Sequence, residues 1–113
     1  PVSDVKHQMM AVAEVYGGKV GRTISAIVAQ GQADPDTLKA LLDGYVRPRR
    51  DEAKVVLMRG IECGELRKDI DLDVVVDALY GPIWYRILVP HAPISTKWAA
   101  KLADQVFRGL RTK

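Results

Sequence analysis

Apolar residues step along this chain by threes and fours almost from the first residue, the spacing of one face of an α-helix. Val5, Met9, Val12 and Tyr16 predict a first helix, with Ser3 or Asp4 placed to cap it. Gly17-Gly18 is expected to end it with a left-handed residue. A shorter second helix follows through Val20, Ile24, Ile27 and Val28 and is expected to fade at Gly31. Asp34-Pro35 is a start signal, an Asp cap followed by a proline where the missing N–H costs nothing. The third helix then carries Leu38, Leu41, Leu42, Tyr45 and Val46 on one face. Pro48 predicts a kink or break, after which Ala53, Val56, Leu57 and Ile61 resume the pattern to Gly64. No stretch alternates with period two for long enough to make a strand, and the run Val55–Met58 sits inside a helical pattern. The fold class is all-α, a bundle of about five helices.

The penultimate helix, capped by Asp69 or Asp71, is apolar on two sides. At ~100° per residue, Leu72, Val75, Val76, Leu79, Ile83 and Ile87 share one face. Val74, Ala78, Gly81, Tyr85 and Leu88 share the opposite one, with Trp84 beside them, and Pro82 is expected to bend the helix near its middle. The last helix, capped by Ser95, bears Trp98, Ala99, Leu102, Ala103, Val106, Phe107 and Leu110 over roughly half its circumference. That is more apolar surface than one small domain hides. A second copy supplying the same helix pair would close a four-helix bundle across a two-fold axis. The interface expected is Val74, Ala78, Gly81, Tyr85 and Leu88 with Trp98, Leu102, Val106 and Leu110. The alternative is that the first three helices wrap both faces within one chain.

With 113 residues the chain is one domain. No transmembrane span is expected, and no signal-peptide pattern opens these residues. Cys63 is alone, which rules out an internal disulfide and fits the cytoplasm. A net charge of +3 reads as a solvated surface rather than a nucleic-acid footprint. The first residue is Pro1 rather than Met, so the sequence is expected to be a piece of a longer protein.

Candidate chemistry is sparse. Asp69, Asp71 and Asp73 are spaced like the start of a calcium loop, but Val74 stands where the loop needs Gly and Tyr80 where it needs Glu. His7, Cys63 and His91 lack metal-ligand spacing, so no metal and no cofactor is expected. No turn poises a nucleophile, and Gly17-Gly18-Lys19 lacks the strand that a phosphate loop follows. Arg47-Pro48-Arg49-Arg50 reads as a solvated bend. Arg86, on the core side of its helix, needs a partner such as Glu62 or a ligand carboxylate. Met9, Met10, Met58, Tyr80 and Trp84 can line an adaptable apolar pocket or simply pack the core. The full set of pocket candidates is Met9, Ala13, Met58, Tyr80, Ile83, Trp84 and Ile87.

The run Gly64-Glu65-Leu66-Arg67, then Asp69 and Asp71, Gly81-Pro82-Ile83-Trp84-Tyr85-Arg86, and Gly109-Leu110 resembles the C-terminal domain of TetR-type transcriptional repressors. Asp34-Pro35, Pro48-Arg49 and Arg59-Gly60-Ile61 fit the same pattern, so the resemblance covers nearly the whole chain. It implies a non-enzymatic domain that dimerises through its last two long helices and holds a small apolar or amphipathic effector among the others. DNA would be contacted only through an N-terminal helix-turn-helix, which is not within these 113 residues. A function of another class, a helical homodimeric interaction module without a ligand, stays open at this point.

Overall fold

The computed structural model describes residues 1–112, and its helices follow one another as five rods. They are α1 (Val2–Tyr16), α2 (Lys19–Ala33), a long third rod, α5 (Leu72–Leu88) and α6 (Thr96–Arg108). The third rod is α3 (Pro35–Leu41) joined through a π-helical turn, Leu42–Val46, to α4 (Arg47–Glu62). No strand forms among the described residues beyond an isolated bridge between Leu66 and Arg111.

Pro48 explains the π turn. In an uninterrupted α-helix its ring would press on the carbonyl four residues back, and its missing N–H would leave that carbonyl unpaired. The rod widens instead, and the Arg47 N–H reaches back five residues to the Leu42 carbonyl. The expected kink is therefore a bulge inside a continuous rod.

Helix ends follow local chemistry, with some departures from the sequence expectation. The Asp34 carboxylate accepts from the Asp36 N–H at 3.1 Å and from the Thr37 hydroxyl at 2.8 Å, and these bonds, Thr37 foremost, hold its pKa below the usual range. Asp71, not Asp69, caps α5, accepting from the N–H groups of Asp73 and Val74 at 2.9 and 3.2 Å. Ser95 caps α6 through the Trp98 N–H at 3.1 Å. Neither Ser3 nor Asp4 caps α1; both lie inside it, where the Val2 side chain is buried and the Val2 N–H donates to Glu65 Oε1 at 2.9 Å. α5 runs unbroken past Pro82; the carbonyl left without its helical donor belongs to Ala78, an exposed residue, so it is not sealed in the core.

Gly17 ends α1 as expected whereas Gly31 does not end α2, and both are packing residues. Gly17 has φ −70°, not a left-handed value, and a Cβ there would stand 2.8 Å from the Ile94 carbonyl oxygen. Gly31 lies inside α2, where a Cβ would come within 3.3 Å of the Leu38 Cα. The left-handed residue is Gly64, at φ +83°, which turns the chain out of α4. Around it the α4–α5 loop forms a clasp. Glu65 holds the first turn of α1, the Arg67 N–H donates to the Leu110 carbonyl at 2.8 Å, and the Thr112 hydroxyl donates to the Gly64 carbonyl at 2.6 Å.

Gly21, in the first turns of α2, is hemmed in by the Tyr16 carbonyl, which a Cβ would overlap. Gly21→Ala is expected to destabilise the protein by about 2–3 kcal/mol, since a backbone carbonyl cannot swing aside as a side chain would. Urea denaturation checks this, and a loss below about 0.5 kcal/mol would show that the α1–α2 turn yields at little cost.

The core lies where α1 crosses α4, α5 and α6. Met9, Ala13, Leu57, Leu79, Ala99 and Ala103 are fully buried there, and Phe107 is almost so. The domain measures 44 × 28 × 17 Å. Its thin dimension is less than two helix diameters of ~10–12 Å, so a helix at its face is covered on one side only. α5 is such a helix. Val75, Val76, Leu79, Ile83 and Ile87 are buried, whereas Val74, Tyr85 and Leu88 are 61%, 56% and 44% exposed.

Candidate functional site: an aromatic-walled cavity beside an uncovered helical face

A cavity of about 650 Å³ opens between α1, the α3–π–α4 rod and α5. α1 contributes Val5, Gln8, Val12 and Tyr16, and α5 contributes Val76, Tyr80 and Trp84. The rod contributes Leu38, Leu41, Leu42, Tyr45 and Val46 from its first half and Ala53 and Val56 from its second. The π turn is thus part of the wall, and its wider winding is what presents Leu42, Tyr45 and Val46 together. Tyr16 and Trp84 meet edge to face with ring centres 6.4 Å apart.

Charged groups sit at the rim. Arg50 donates to Asp77 at 2.7 Å and to Asp73 at 3.3 Å, which ties α4 to α5 and holds its guanidinium pKa above the usual value. Lys54 also pairs with Asp73, and Lys54 first and Arg50 second keep that carboxyl below the usual range. The Arg49 guanidinium lies over the Tyr45 ring, 3.8 Å from its centre, and donates to the Tyr45 carbonyl at 3.3 Å. Tyr80 is desolvated enough that its phenol pKa is pushed up to about 12.

Of the pocket residues expected from sequence, Tyr80 and Trp84 line this cavity. Met9, Ala13 and Ile83 do not: they are at most 1% exposed and face other side chains. α1 offers one row to the cavity and turns the neighbouring row, Met9 and Ala13, into the core. Met58 is 42% exposed on the far side of α4 from the cavity. Ile87 borders a separate, shallower cleft beside the α5–α6 loop. The π turn and Val12, Val28 and Val56 were not foreseen as wall; the one signal for them was Pro48, a proline inside an apolar helical pattern.

The residues expected at a second copy all keep some exposure. Val74, Ala78, Gly81, Tyr85 and Leu88 are exposed, and Trp98, Leu102, Val106 and Leu110 are half-buried beside the buried row Ala99, Ala103 and Phe107. Gly81 touches both regions, since it also borders the cavity. Arg86 has no acidic partner among the described residues: it donates to the Pro93 carbonyl at 2.8 Å and stacks over Trp98 at 4.0 Å, bracing the α5–α6 loop. The acids once compared with a calcium loop are used within the chain, Asp69 by Arg67, Asp71 as a cap and Asp73 by Arg50 and Lys54. No cluster of three metal-ligating side chains occurs among the described residues, and none of their helices is long and apolar enough to cross a membrane.

This five-rod all-α domain has the architecture of the C-terminal part of a transcription regulator. Residues 2–106 match the family described as tetracyclin repressor-like, C-terminal domain, and the chain belongs to that family. It is 30% identical over 110 residues to YdeS of Bacillus subtilis (strain 168), an uncharacterized HTH-type transcriptional regulator. That match takes in 97% of this chain and 56% of YdeS, so the chain spans about half the length of its relative. The crystal structure of the TetR family transcription regulator SCO0332 superposes with a TM-score of 0.87 at 27% identity, over 98% of this chain and 62% of that one. The domain is accordingly a regulatory one, not an enzyme.

Proposed function

We propose that this domain binds a small apolar or amphipathic effector in the α1/α3–α4/α5 cavity and forms a homodimer through α5 and α6. DNA binding, by a helix-turn-helix outside these residues, would respond to the effector in the cytoplasm. The observation that carries this reading is the double duty of α5. It faces the cavity with Tyr80 and Trp84 and, about a third of a turn away, bears the exposed row of Val74, Ala78 and Tyr85. An occupant and a partner copy therefore bear on the same rigid rod. An effector that binds one arrangement of α5 better than another shifts the population by its differential affinity, typically ~1–3 kcal/mol.

The test is a thermal-shift screen of small apolar and amphipathic compounds with the parent chain and with Trp84→Ala. A ligand at a hundred times its Kd raises stability by about 2.7 kcal/mol. Removing the indole is expected to weaken binding about tenfold, or ~1.4 kcal/mol. A hit whose shift is the same in both proteins binds elsewhere, and that result would remove the cavity from the account.

A further inference from the structure

The walls of the cavity point to the class of molecule it takes. We propose that the preferred occupant is a lipophilic cation, an aromatic or aliphatic body carrying a quaternary or protonated nitrogen or its equivalent. This inference rests on the effector reading of the cavity and narrows it.

Four of the chain's seven aromatic residues, Tyr16, Tyr45, Tyr80 and Trp84, border this one space. Ring faces attract cations, and the attraction grows when water is excluded. The chain already demonstrates the contact, because the Arg49 guanidinium rests on Tyr45 at 3.8 Å. Tyr80 adds a hydroxyl. It makes no hydrogen bond to the protein among the described residues, and no buried side-chain polar atom there is sealed off without a partner. Since Tyr80 lines this cavity, its hydroxyl opens onto it and offers an oxygen lone pair.

The charges agree. The two guanidiniums at the rim are engaged, Arg50 by Asp73 and Asp77 and Arg49 by the Tyr45 ring and carbonyl. The acids Asp4 and Glu52 also border the cavity and are exposed at its mouth. Asp4 has only the Pro1 amino group, 3.7 Å away, and Glu52 has no cation within ion-pair distance among the described residues. An anion entering would have to compete with Asp73 and Asp77 for Arg50, whereas a cation would find the Glu52 carboxylate unpaired among the described residues.

Tetraphenylphosphonium and tetraphenylborate, alike in size and shape and opposite in charge, separate the possibilities by equilibrium dialysis. The neutral dye N-phenyl-1-naphthylamine serves as a charge-free reference. The phosphonium is expected to bind at least about tenfold more tightly than the borate. The chain's net charge of +3 would bias non-specific binding the other way. Glu52→Gln, at an exposed position that leaves the fold alone, is expected to cut phosphonium affinity about two- to fivefold. Equal or tighter borate binding, with the dye bound, overturns the cationic class and leaves the effector reading standing. A phosphonium preference untouched by Glu52→Gln overturns the assignment to this mouth. Failure of all three probes to bind overturns both readings.

Discussion

Phe107→Ala is expected to lower the unfolding free energy by about 3–5 kcal/mol, the largest single loss anywhere in the chain. Phe107 is the bulkiest of the fully buried side chains and closes the row Ala99, Ala103 and Phe107 on α6. The two alanines let α6 lie close against α1, and the ring fills space in the core that they leave. Truncation leaves a hole that the surrounding backbone, pinned by the clasp at Gly64–Arg67, has little freedom to close. Against a total of ~5–15 kcal/mol for a domain, the loss should be plain in a urea midpoint at constant m-value. A change under about 1 kcal/mol would mean that the site collapses easily and that α6 is held mainly by its half-buried residues.

Gly81→Leu should do the opposite, sparing the fold and breaking association. Beyond its own helix backbone and chain neighbours, no atom lies within 4 Å of a Cβ built at Gly81, so a side chain there enters open space in the single chain. In a bundle of two copies, Ala78 and Gly81 are the positions where helices can approach most closely, and an added isobutyl group would drive them apart. Central interface positions of this kind contribute ~2 kcal/mol or more, so Kd for the dimer should rise about thirtyfold or beyond. Light scattering across a dilution series, with thermal unfolding as the control for folding, makes the measurement. A dimer of unchanged affinity would take Gly81 out of the interface and the proposed bundle with it.

Which faces are buried was largely legible in the sequence, because burial and helical period are linked by geometry alone. The alternation on α5 separated Val75, Val76, Leu79 and Ile83 from Val74, Ala78 and Tyr85, and the structure keeps that division. What periodicity does not encode is whether a buried face meets atoms or space. Met9 and Ala13 on one row of α1 and Val12 and Tyr16 on the next are equally apolar, yet the first row meets side chains and the second a cavity. The difference is set by where the α3–α4 rod lies, some thirty residues along the chain, and by a π turn whose extra width shows locally only as Pro48. The left-handed turn expected at Gly17 and the helix end expected at Gly31 are absent for a related reason. A glycine in sequence signals freedom of the backbone, but here it marks the nearness of Ile94 and Leu38, neighbours that only the folded chain reveals.

The bonds around Glu65 turn the bundle into a closed ring. Val2, at the head of α1, and Leu110 and Thr112, just past α6, are all tied to the same few residues between α4 and α5. Helix termini ordinarily fray one at a time, each opening at little expense to the rest. Here the head of the first rod and the tail of the last share one knot in the middle of the chain. Opening of that one loop would release Val2, Leu110 and Thr112 together.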